Sequence, residues 1–231
     1  MRLEIFPIEG LPEIGRGDDI AGMICDAVEL QQHDVIMVTQ KIVSKAEGAM
    51  VDIDPTDPLS HKPIVERESV RILRRRGELI ISETKHGFVC ANAGIDLSNV
   101  KRGQAALLPE DSDRSARRIR DAIKGRFGVD VGVIISDTFG RPWRRGVTDV
   151  AIGCAGVRAI LDLRGTPDAL GREMQVTEVA LVDELACAAE LAMGKTTGVP
   201  VAVIRGGPSE WFGESSVRDD LVRDPADDLF R

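Results

Sequence analysis

The hydrophobic residues of this chain occur in short runs that predict alternating helices and strands. Apolar positions in residues 20–30 have helical spacing, with Asp18 or Asp19 as the N-cap, and the apolar run 35–38 predicts a short buried strand. Three prolines and two aspartates in residues 54–63 predict a surface loop. The elements expected next are a helix over 64–76, strands over 79–82 and 87–91, and a loop over 92–96.

The second half of the chain continues the same alternation. The clearest helix is expected to begin with Thr177 as its cap and to end at Gly194, because the segment between them is rich in alanine and leucine. The acidic tail, 218–231, is expected to be partly disordered. The predicted elements are a helix from Asp111 or Ser112 to about residue 123, a central strand over 131–136, the helix over 177–193, and a strand over 199–204 that starts around Pro200.

Composition narrows the class of protein. The 231 residues are enough for one large domain or two small ones, and the order of elements indicates a mixed α/β fold. The chain has no apolar run of membrane-spanning length and no secretion signal at its start, so we expect a cytoplasmic protein that does not bind membranes. A net charge of -8, no Tyr, 2 Trp and 6 Phe disfavour nucleic acid as a partner. A small-molecule partner is therefore expected.

The most informative segment is 133–146, in which an apolar run stops at an acid and a hydroxyl. Because ligands in α/β proteins lie beyond the carboxyl ends of strands, Asp137 and Thr138 are candidates for metal or phosphate binding, and a helix cap is the alternative. Three arginines follow, which suit phosphate or carboxylate groups but also suit a structural salt-bridge network: Arg141, Arg144 and Arg145.

Two lysines follow the first predicted buried strand. Lys41 and Lys45 are four residues apart, so a helical turn would place both ammonium groups on one face, where they could hold a polyphosphate. The alternative is a solvated lysine face. Asp96 and Asn99 offer further oxygen ligands, although the same residue types also form ordinary turns. Together with Asp137 and Thr138, Asp96 would give an incomplete oxygen cage that Mg²⁺ or Mn²⁺ completes with water and substrate phosphates.

The sequence Gly194-Lys195-Thr196 invites comparison with a phosphate-binding P-loop. That motif needs another glycine five residues earlier, where this chain has Ala189, and an upstream strand, where this chain has a predicted helix. A P-loop is therefore excluded. Two interpretations stay open: a glycine that ends the helix, and an anion site built from loop amides and Lys195.

Four segments taken together, in this order, resemble the coenzyme F420-0:L-glutamate ligase family over essentially the whole chain. They are Gly-Leu-Pro-Glu-Ile at 10–14, Gln-Lys-Ile-Val-Ser-Lys-Ala-Glu-Gly at 40–48, His-Gly-Phe-Val-Cys-Ala-Asn-Ala-Gly-Ile-Asp-Leu-Ser-Asn at 86–99, and Ser-Asp-Thr-Phe-Gly-Arg-Pro-Trp-Arg-Arg at 136–145. The resemblance implies an unusual two-domain α/β fold in an intertwined homodimer. It also implies a single ligase unit over 1–231, with two discontinuous subdomains and no appended reductase domain.

The resemblance also assigns roles to residues. Lys45 and Asp137 would be catalytic. Beside these assignments, Arg141, Arg144 and Arg145 are candidates to hold the anionic F420-0 or glutamate, with a structural salt-bridge network as the alternative. Lys195 stands where relatives are expected to carry an oxygen-bearing metal ligand, which argues against a second metal there and for direct neutralisation of phosphate. The metal ligands would be Asp96, Asp137 and Thr138. The nucleotide contacts would be Leu11, Pro12, Glu13, Ile14, Gln40, Lys41, Lys45, Asn99, Gly194 and Lys195.

The implied reaction is addition of L-glutamate, through a γ linkage, to F420-0. It would use GTP and Mg²⁺ or Mn²⁺, with K⁺ as a further candidate cation, and would pass through an acyl phosphate because a free carboxylate is a poor acyl donor. Two alternatives are kept. One is a ligase that joins an amino acid to a different carboxylated cofactor, and the other is a noncatalytic module that binds a nucleotide or F420.

Overall fold

The computed structural model describes residues 2–229. The α-helices are α1 (Ile20–Ala27), α2 (Gln40–Glu47), α3 (Lys62–Glu68), α4 (Ser112–Phe127) and α5 (Leu181–Met193). The strands are β1 (Glu4–Pro7), β2 (Val35–Thr39), β3 (Met50–Asp52), β4 (Ser69–Arg76), β5 (Leu79–Thr84), β6 (Val89–Ala91), β7 (Gln104–Ala106), β8 (Gly132–Arg141), β9 (Arg144–Ala155), β10 (Leu161–Asp162), β11 (Glu178–Val179) and β12 (Val201–Arg205).

The largest sheet has five strands in the order β1-β12-β2-β8-β9. β2 and β8 are parallel, with Thr39 opposite Ser136, and the other neighbours are antiparallel. The side chains of Val35 to Val38 are buried, as are those of Val133 to Ile135, so both strands lie in the interior of the main core. α4 packs on β8 and β9, and α5 packs on β1, β9 and β12. The mixed α/β class is therefore confirmed.

A second, smaller hydrophobic cluster lies outside this core. Its buried members come from α3, from β5 and β7, and from the turn that contains Ala93 and Ile95. The strands of this region form two small antiparallel sheets, β3-β7 and β4-β5-β6. Chain continuity places this region between α2 and α4, so the main core is built from segments on both sides of it. The division into two subdomains and the homodimer remain predictions.

Several predicted elements have the wrong type or wrong bounds. Helix α3 ends at Glu68, and the rest of the predicted helix over 64–76 is the exposed strand β4, because Val70 and Ile72 alternate with arginines and the segment pairs with β5. The predicted strand over 131–136 continues to Arg141 as β8. Asp137 and Thr138 therefore lie within a strand, and neither caps a helix.

Two helix caps differ from the prediction. α5 begins at Leu181, and Thr177 lies before the short strand β11, so the predicted cap at Thr177 is wrong. Asp19 occupies the N-cap position of α1, but its carboxylate pairs with Arg126 and does not cap the helix backbone. Asp111 does cap α4, accepting from Arg114 N at 2.8 Å.

The described part of the tail contains a π-helical turn at Val217–Leu221, and residues 230 and 231 lie outside the described residues. Across residues 2–229, none of the helices combines the length and apolar character that crossing a membrane requires.

Candidate functional site

Four strands of the main sheet contribute to one site at the end of the sheet where β2 stops, called its edge here; the four strands are β1, β2, β8 and β12. Because β2 and β8 are parallel, their carboxyl ends lie side by side, which brings the start of α2 next to Asp137 and Thr138. β12 is antiparallel to β2 and begins at this edge, where Thr39 N donates to Pro200 O at 2.9 Å. β1 ends at the same edge, where Ile8 N donates to Val201 O at 2.8 Å. The loops before β12 and after β1 therefore also reach this place.

A pocket of about 610 Å³ lies at this edge. Every residue that the family resemblance assigns to nucleotide or metal binding lines it, although those residues come from five separate parts of the sequence. The lining residues are Leu11, Pro12, Glu13, Ile14, Thr39, Gln40, Lys41, Ile42, Lys45, Asp96, Ser98, Asn99, Ser136, Asp137, Thr138, Val147, Asp149, Glu190, Met193, Gly194, Lys195, Gly198, Val199 and Pro200.

The two lysines of α2 are not solvated side chains. Lys41 is 17% exposed and its Nζ lies 2.7 Å from Asp96 Oδ2, while Lys45 is 14% exposed and its Nζ lies 2.5 Å from Glu13 Oε1. Their four-residue spacing on α2 places both lysines on the face that lines the pocket, and their binding to phosphate remains a prediction. Each lysine is already paired with a carboxylate. An incoming anion would therefore compete with a protein carboxylate for each ammonium group.

Gln40 begins α2 and is 1% exposed. Its Nε2 donates to Ser44 Oγ at 2.6 Å and to Leu107 O at 2.7 Å. Its Oε1 is buried and has no hydrogen-bond partner in the described residues. A buried acceptor without a donor is costly, so this oxygen is suited to accept a hydrogen bond from a ligand in the pocket.

Asp96 reaches the pocket from the smaller hydrophobic region, where it bridges Ala106 with backbone hydrogen bonds of 3.0 and 2.9 Å. Its Oδ1 also accepts from Ser98 N at 2.7 Å, so the turn interpretation of this residue is correct and coexists with its position in the pocket. Burial alone would raise the pKa of the Asp96 carboxyl. The hydrogen bonds from Lys41 and Ser98 outweigh burial and bring that pKa below its ordinary value.

Asp137 differs from the other pocket carboxylates because no lysine or arginine of the described residues forms an ion pair with it. Its Oδ1 accepts from Thr138 N at 2.8 Å. Burial is the main cause that raises the pKa of the Asp137 carboxyl to about 7, and the charges of Asp96 and Asp149 act in the same direction. The Thr138 N–H and the Lys41 ammonium oppose that rise. Near neutral pH this carboxyl needs either a proton or a cation.

Asp149 also lines the pocket, although the sequence did not mark it as a site residue; it lies in β9 opposite Thr138 and is 2% exposed. Its carboxylate accepts from Ser136 Oγ at 3.0 Å, Thr138 Oγ1 at 2.7 Å and Lys195 Nζ at 2.5 Å. A single acid within the apolar run 147–155 was the available signal, because an unpaired charge is rarely buried in a strand. Lys195 also donates to Thr138 Oγ1.

Gly194 ends α5, with a φ of 67° and its N–H donating to Glu190 O at 2.7 Å. The interpretation of Gly194 as a helix stop is therefore correct. A P-loop would need a strand before this glycine, and the structure has helix α5 there. The turn after Gly194 brings Lys195 into the pocket, and an anion site built from the loop amides and Lys195 remains a prediction.

The three predicted anion-binding arginines lie outside the pocket. Arg141 ends β8 and Arg144 begins β9, so all three are at the exposed tip of this hairpin. Arg141 donates to the carbonyl of Arg145 at 3.3 Å. Val147, on the same hairpin, does line the pocket. Placed in this way, the arginines can contact only a part of a ligand that extends beyond the pocket.

The donor set of the pocket fits a hard divalent cation whose coordination is completed by other ligands. Asp96, Asp137 and Thr138 supply oxygen atoms, which Mg²⁺ and Mn²⁺ prefer. Within residues 2–229, no three His, Cys, Asp or Glu side chains form a metal site by themselves. Among the carboxylates of the described pocket residues, Asp137 is the one without a lysine or arginine partner, and a metal site here remains a prediction.

The mixed α/β fold brings lysines, carboxylates and hydroxyls into one pocket at the carboxyl ends of β2 and β8, which is the usual place for a ligand-binding site in this class of protein. Comparison with known proteins gives the family. The sequence model of the family described as "F420-0:Gamma-glutamyl ligase" matches residues 10–206, and the chain belongs to this family and is a ligase.

The names of individual relatives agree with this family assignment. The chain is 42% identical to "Coenzyme F420:L-glutamate ligase" of Methanopyrus kandleri, over 100% of this chain and 98% of that protein. It is 41% identical to the protein of the same name from Methanothermobacter thermautotrophicus, over 100% of both chains. It is 40% identical to the one from Archaeoglobus fulgidus, over 100% of this chain and 97% of that protein.

Proposed function

We propose that this ligase adds L-glutamate to F420-0 through γ linkages, at the expense of GTP and with a divalent metal, by way of an acyl phosphate. The acceptor and the amino acid are supported by the names of the relatives. The use of a nucleotide and a metal is supported by one observation above all, which is the charge arrangement of the pocket. Three lysines pair there with Asp96, Glu13 and Asp149, and the carboxyl of Asp137 stays unpaired.

This arrangement suits a polyanion that arrives together with a cation. A nucleoside triphosphate carries about four negative charges, and the pocket already holds several carboxylates. The repulsion between the triphosphate and these carboxylates has to be cancelled by positive charge. In the proposal Asp96, Asp137 and Thr138 hold Mg²⁺ or Mn²⁺, which supplies Lewis-acid stabilisation of phosphate charge when it is bound. Lys41 and Lys45 move part of their hydrogen bonding from Asp96 and Glu13 to phosphate oxygens.

The chemistry then proceeds in two displacements. The terminal carboxylate of F420-0 attacks the γ-phosphorus of GTP, a carboxylate oxygen-to-phosphorus bond forms, and the bond to the β-γ bridging oxygen breaks to release GDP. The amino group of glutamate attacks the acyl carbon, the bond from that carbon to the phosphate oxygen breaks, and phosphate and a proton leave. The protein contributes fixed positive charge and correct placement of the reactants, with Lys45 next to the developing charge and Asp137 at the cation.

The proposal is tested by mass spectrometry of F420-0 after incubation with purified protein, glutamate, GTP and Mn²⁺. Glutamyl addition and GDP formation are expected with the wild type and not with Asp137→Ala. Asp26→Ala removes an exposed aspartate of α1, outside the pocket, and should retain activity. Binding of GTP without turnover would support a noncatalytic module instead, and turnover with another carboxylated acceptor alone would contradict F420-0 as the substrate.

Two further parts of the proposal rest on the family resemblance: a homodimer, and K⁺ as an additional cation. Light scattering of the purified protein tests the dimer, for which a mass twice that of the 25.0 kDa chain is expected. The same mass-spectrometric assay in Na⁺ and in K⁺ buffers tests the monovalent cation.

A further inference from the structure

Asp149 is the most completely buried carboxylate of the pocket, and all its partners are defined. Ser136 Oγ donates to its Oδ2, whereas Thr138 Oγ1 and Lys195 Nζ donate to its Oδ1. A buried carboxylate without a positive partner is strongly unfavourable, so Asp149 requires the ammonium of Lys195. These two residues are 46 positions apart in the sequence, and no part of the family resemblance assigned Asp149 a role.

The ammonium of Lys195 is surrounded by oxygen atoms in the manner of a bound cation. Besides Asp149 Oδ1 at 2.5 Å, it donates to Thr138 Oγ1 and lies 3.6 Å from Glu190 Oε1. The side chain is nevertheless 48% exposed and lines the pocket. The ammonium is therefore bound on its buried side by Asp149, while the Lys195 side chain remains accessible to a ligand in the pocket.

Thr138 contacts the Lys195 ammonium and is also one of the proposed metal ligands. A hydroxyl has one proton and two lone pairs. The proton of Thr138 Oγ1 is donated to Asp149, and Lys195 uses one lone pair. A single acceptor position of Thr138 Oγ1 is therefore left for any other cation in the pocket.

We propose that Lys195 is a built-in cation of the phosphate-binding pocket, which contacts nucleotide phosphate directly, and that Asp149 is the positioning residue that holds its ammonium in place. This inference rests on the proposed nucleotide binding. The ammonium is bound to Thr138 and Asp149 of the same chain, so it stays in the pocket when nucleotide leaves.

The competing explanation is a purely structural ion pair, and a double variant separates the two. Lys195→Ala/Asp149→Asn removes both charges, leaves no unpaired buried carboxylate, and keeps an oxygen at position 149 for the hydroxyls of Ser136 and Thr138. Its thermal unfolding should be close to that of the wild type. If Lys195 contacts phosphate, its GDP affinity in the presence of Mg²⁺, measured by calorimetry, should nevertheless fall about 10-fold or more.

The single variant Lys195→Ala tests the role of Asp149. It leaves Asp149, Thr138 and Glu190 around an emptied position, and added ammonium chloride should restore part of the lost GDP affinity. Tetramethylammonium chloride at the same concentration should not, because that ion is too large and donates no hydrogen bond. The double variant should show no recovery in either salt, since the carboxylate that attracts the cation is gone.

A matched control is the exposed pair Lys124 and Asp130, whose charged atoms are 2.7 Å apart outside the pocket. Lys124→Ala/Asp130→Asn should leave GDP affinity unchanged. Wild-type GDP affinity in Lys195→Ala/Asp149→Asn would overturn this inference alone and leave the proposed function standing. Failure of the wild type to bind GDP would overturn both.

Discussion

Replacing Asp137 by asparagine should abolish ligase activity and at the same time stabilise the free protein. Asp137 is half-buried in the wall of the pocket near two other carboxylates, and burial raises the pKa of its carboxyl from 3.8 to about 7. Asparagine keeps the oxygen that accepts from Thr138 N but carries no charge. It should therefore remove an electrostatic cost that the folded protein bears without a ligand.

The size of this effect follows from the pKa. A difference of about three units corresponds to at most about 4 kcal/mol at a pH well above 7, at 1.36 kcal/mol per unit. The carboxyl borders an open pocket, where water screens its charge, so a gain of about 1–3 kcal/mol in the free energy of unfolding is expected for Asp137→Asn at pH 8.

The stability difference between Asp137→Asn and the wild type should change with pH in a defined direction. Below pH 3.8 the carboxyl is protonated in both the folded and the unfolded state, and the variant gains nothing. Between pH 3.8 and about 7 the unfolded chain binds fewer protons at this group than the folded protein, so the wild type loses stability as the pH rises. The advantage of Asp137→Asn at pH 5 should accordingly be about two-fifths of its value at pH 8, where it is nearly full.

Urea unfolding of both proteins at pH 5 and pH 8, without metal or nucleotide, measures this difference. Mn²⁺ with GDP should then raise the stability of the wild type much more than that of the variant. Asp26→Asn, at an exposed position outside the pocket, is the control and should behave as the wild type does. An equal loss of stability for Asp137→Asn at both pH values would refute the reasoning, because it would make Asp137 an ordinary structural residue.

Three further predictions concern the fold around the site. Gly153→Ala should lower the free energy of unfolding by about 3 kcal/mol in urea titrations, because a Cβ there would lie 2.3 Å from the carbonyl carbon of Ser112; a change below about 1 kcal/mol would contradict this close packing. Asp113→Ala should cost about 3 kcal/mol in the same assay, because the buried carboxylate accepts from the backbone N–H groups of Cys154 at 2.8 Å and Val217 at 2.9 Å; an unchanged midpoint would show that water replaces it. His86→Gln should make the loss of stability between pH 7 and pH 5 shallower. Burial lowers the pKa of His86 below 6.5, so the unfolded chain binds the extra proton first as the pH falls; identical pH profiles would exclude this.

The position of the pocket could be predicted from the sequence because it lies where the apolar runs of two neighbouring strands stop. Polar residues follow two apolar runs, at Lys41 and at Asp137, and the parallel pairing of β2 with β8 makes those two places neighbours. The chain order of the elements also favoured a mixed α/β fold. These are local patterns with one simple geometric consequence, so they could be read without knowing the rest of the structure.

Other features depend on pairing that the local sequence does not reveal. β8 and β9 form a long hairpin, so Asp137 and Thr138 lie in a strand where the sequence suggested an end. Asp149 became a site residue only through its cross-strand position opposite Thr138. β4 was mistaken for a helix because arginines suit either structure, and only its pairing with β5 decides the conformation.

Formation of an acyl phosphate in this pocket is tested most directly by isotope transfer. F420-0 with oxygen-18 at both oxygens of its reacting carboxylate is incubated with the protein, glutamate, GTP and Mn²⁺, and the phosphate released is analysed by mass spectrometry. One oxygen-18 atom per phosphate is predicted, because the carboxylate oxygen that attacks phosphorus leaves with it and the other stays in the new amide. Amide formation with phosphate that contains no oxygen-18 would contradict an acyl phosphate and the mechanism built on it.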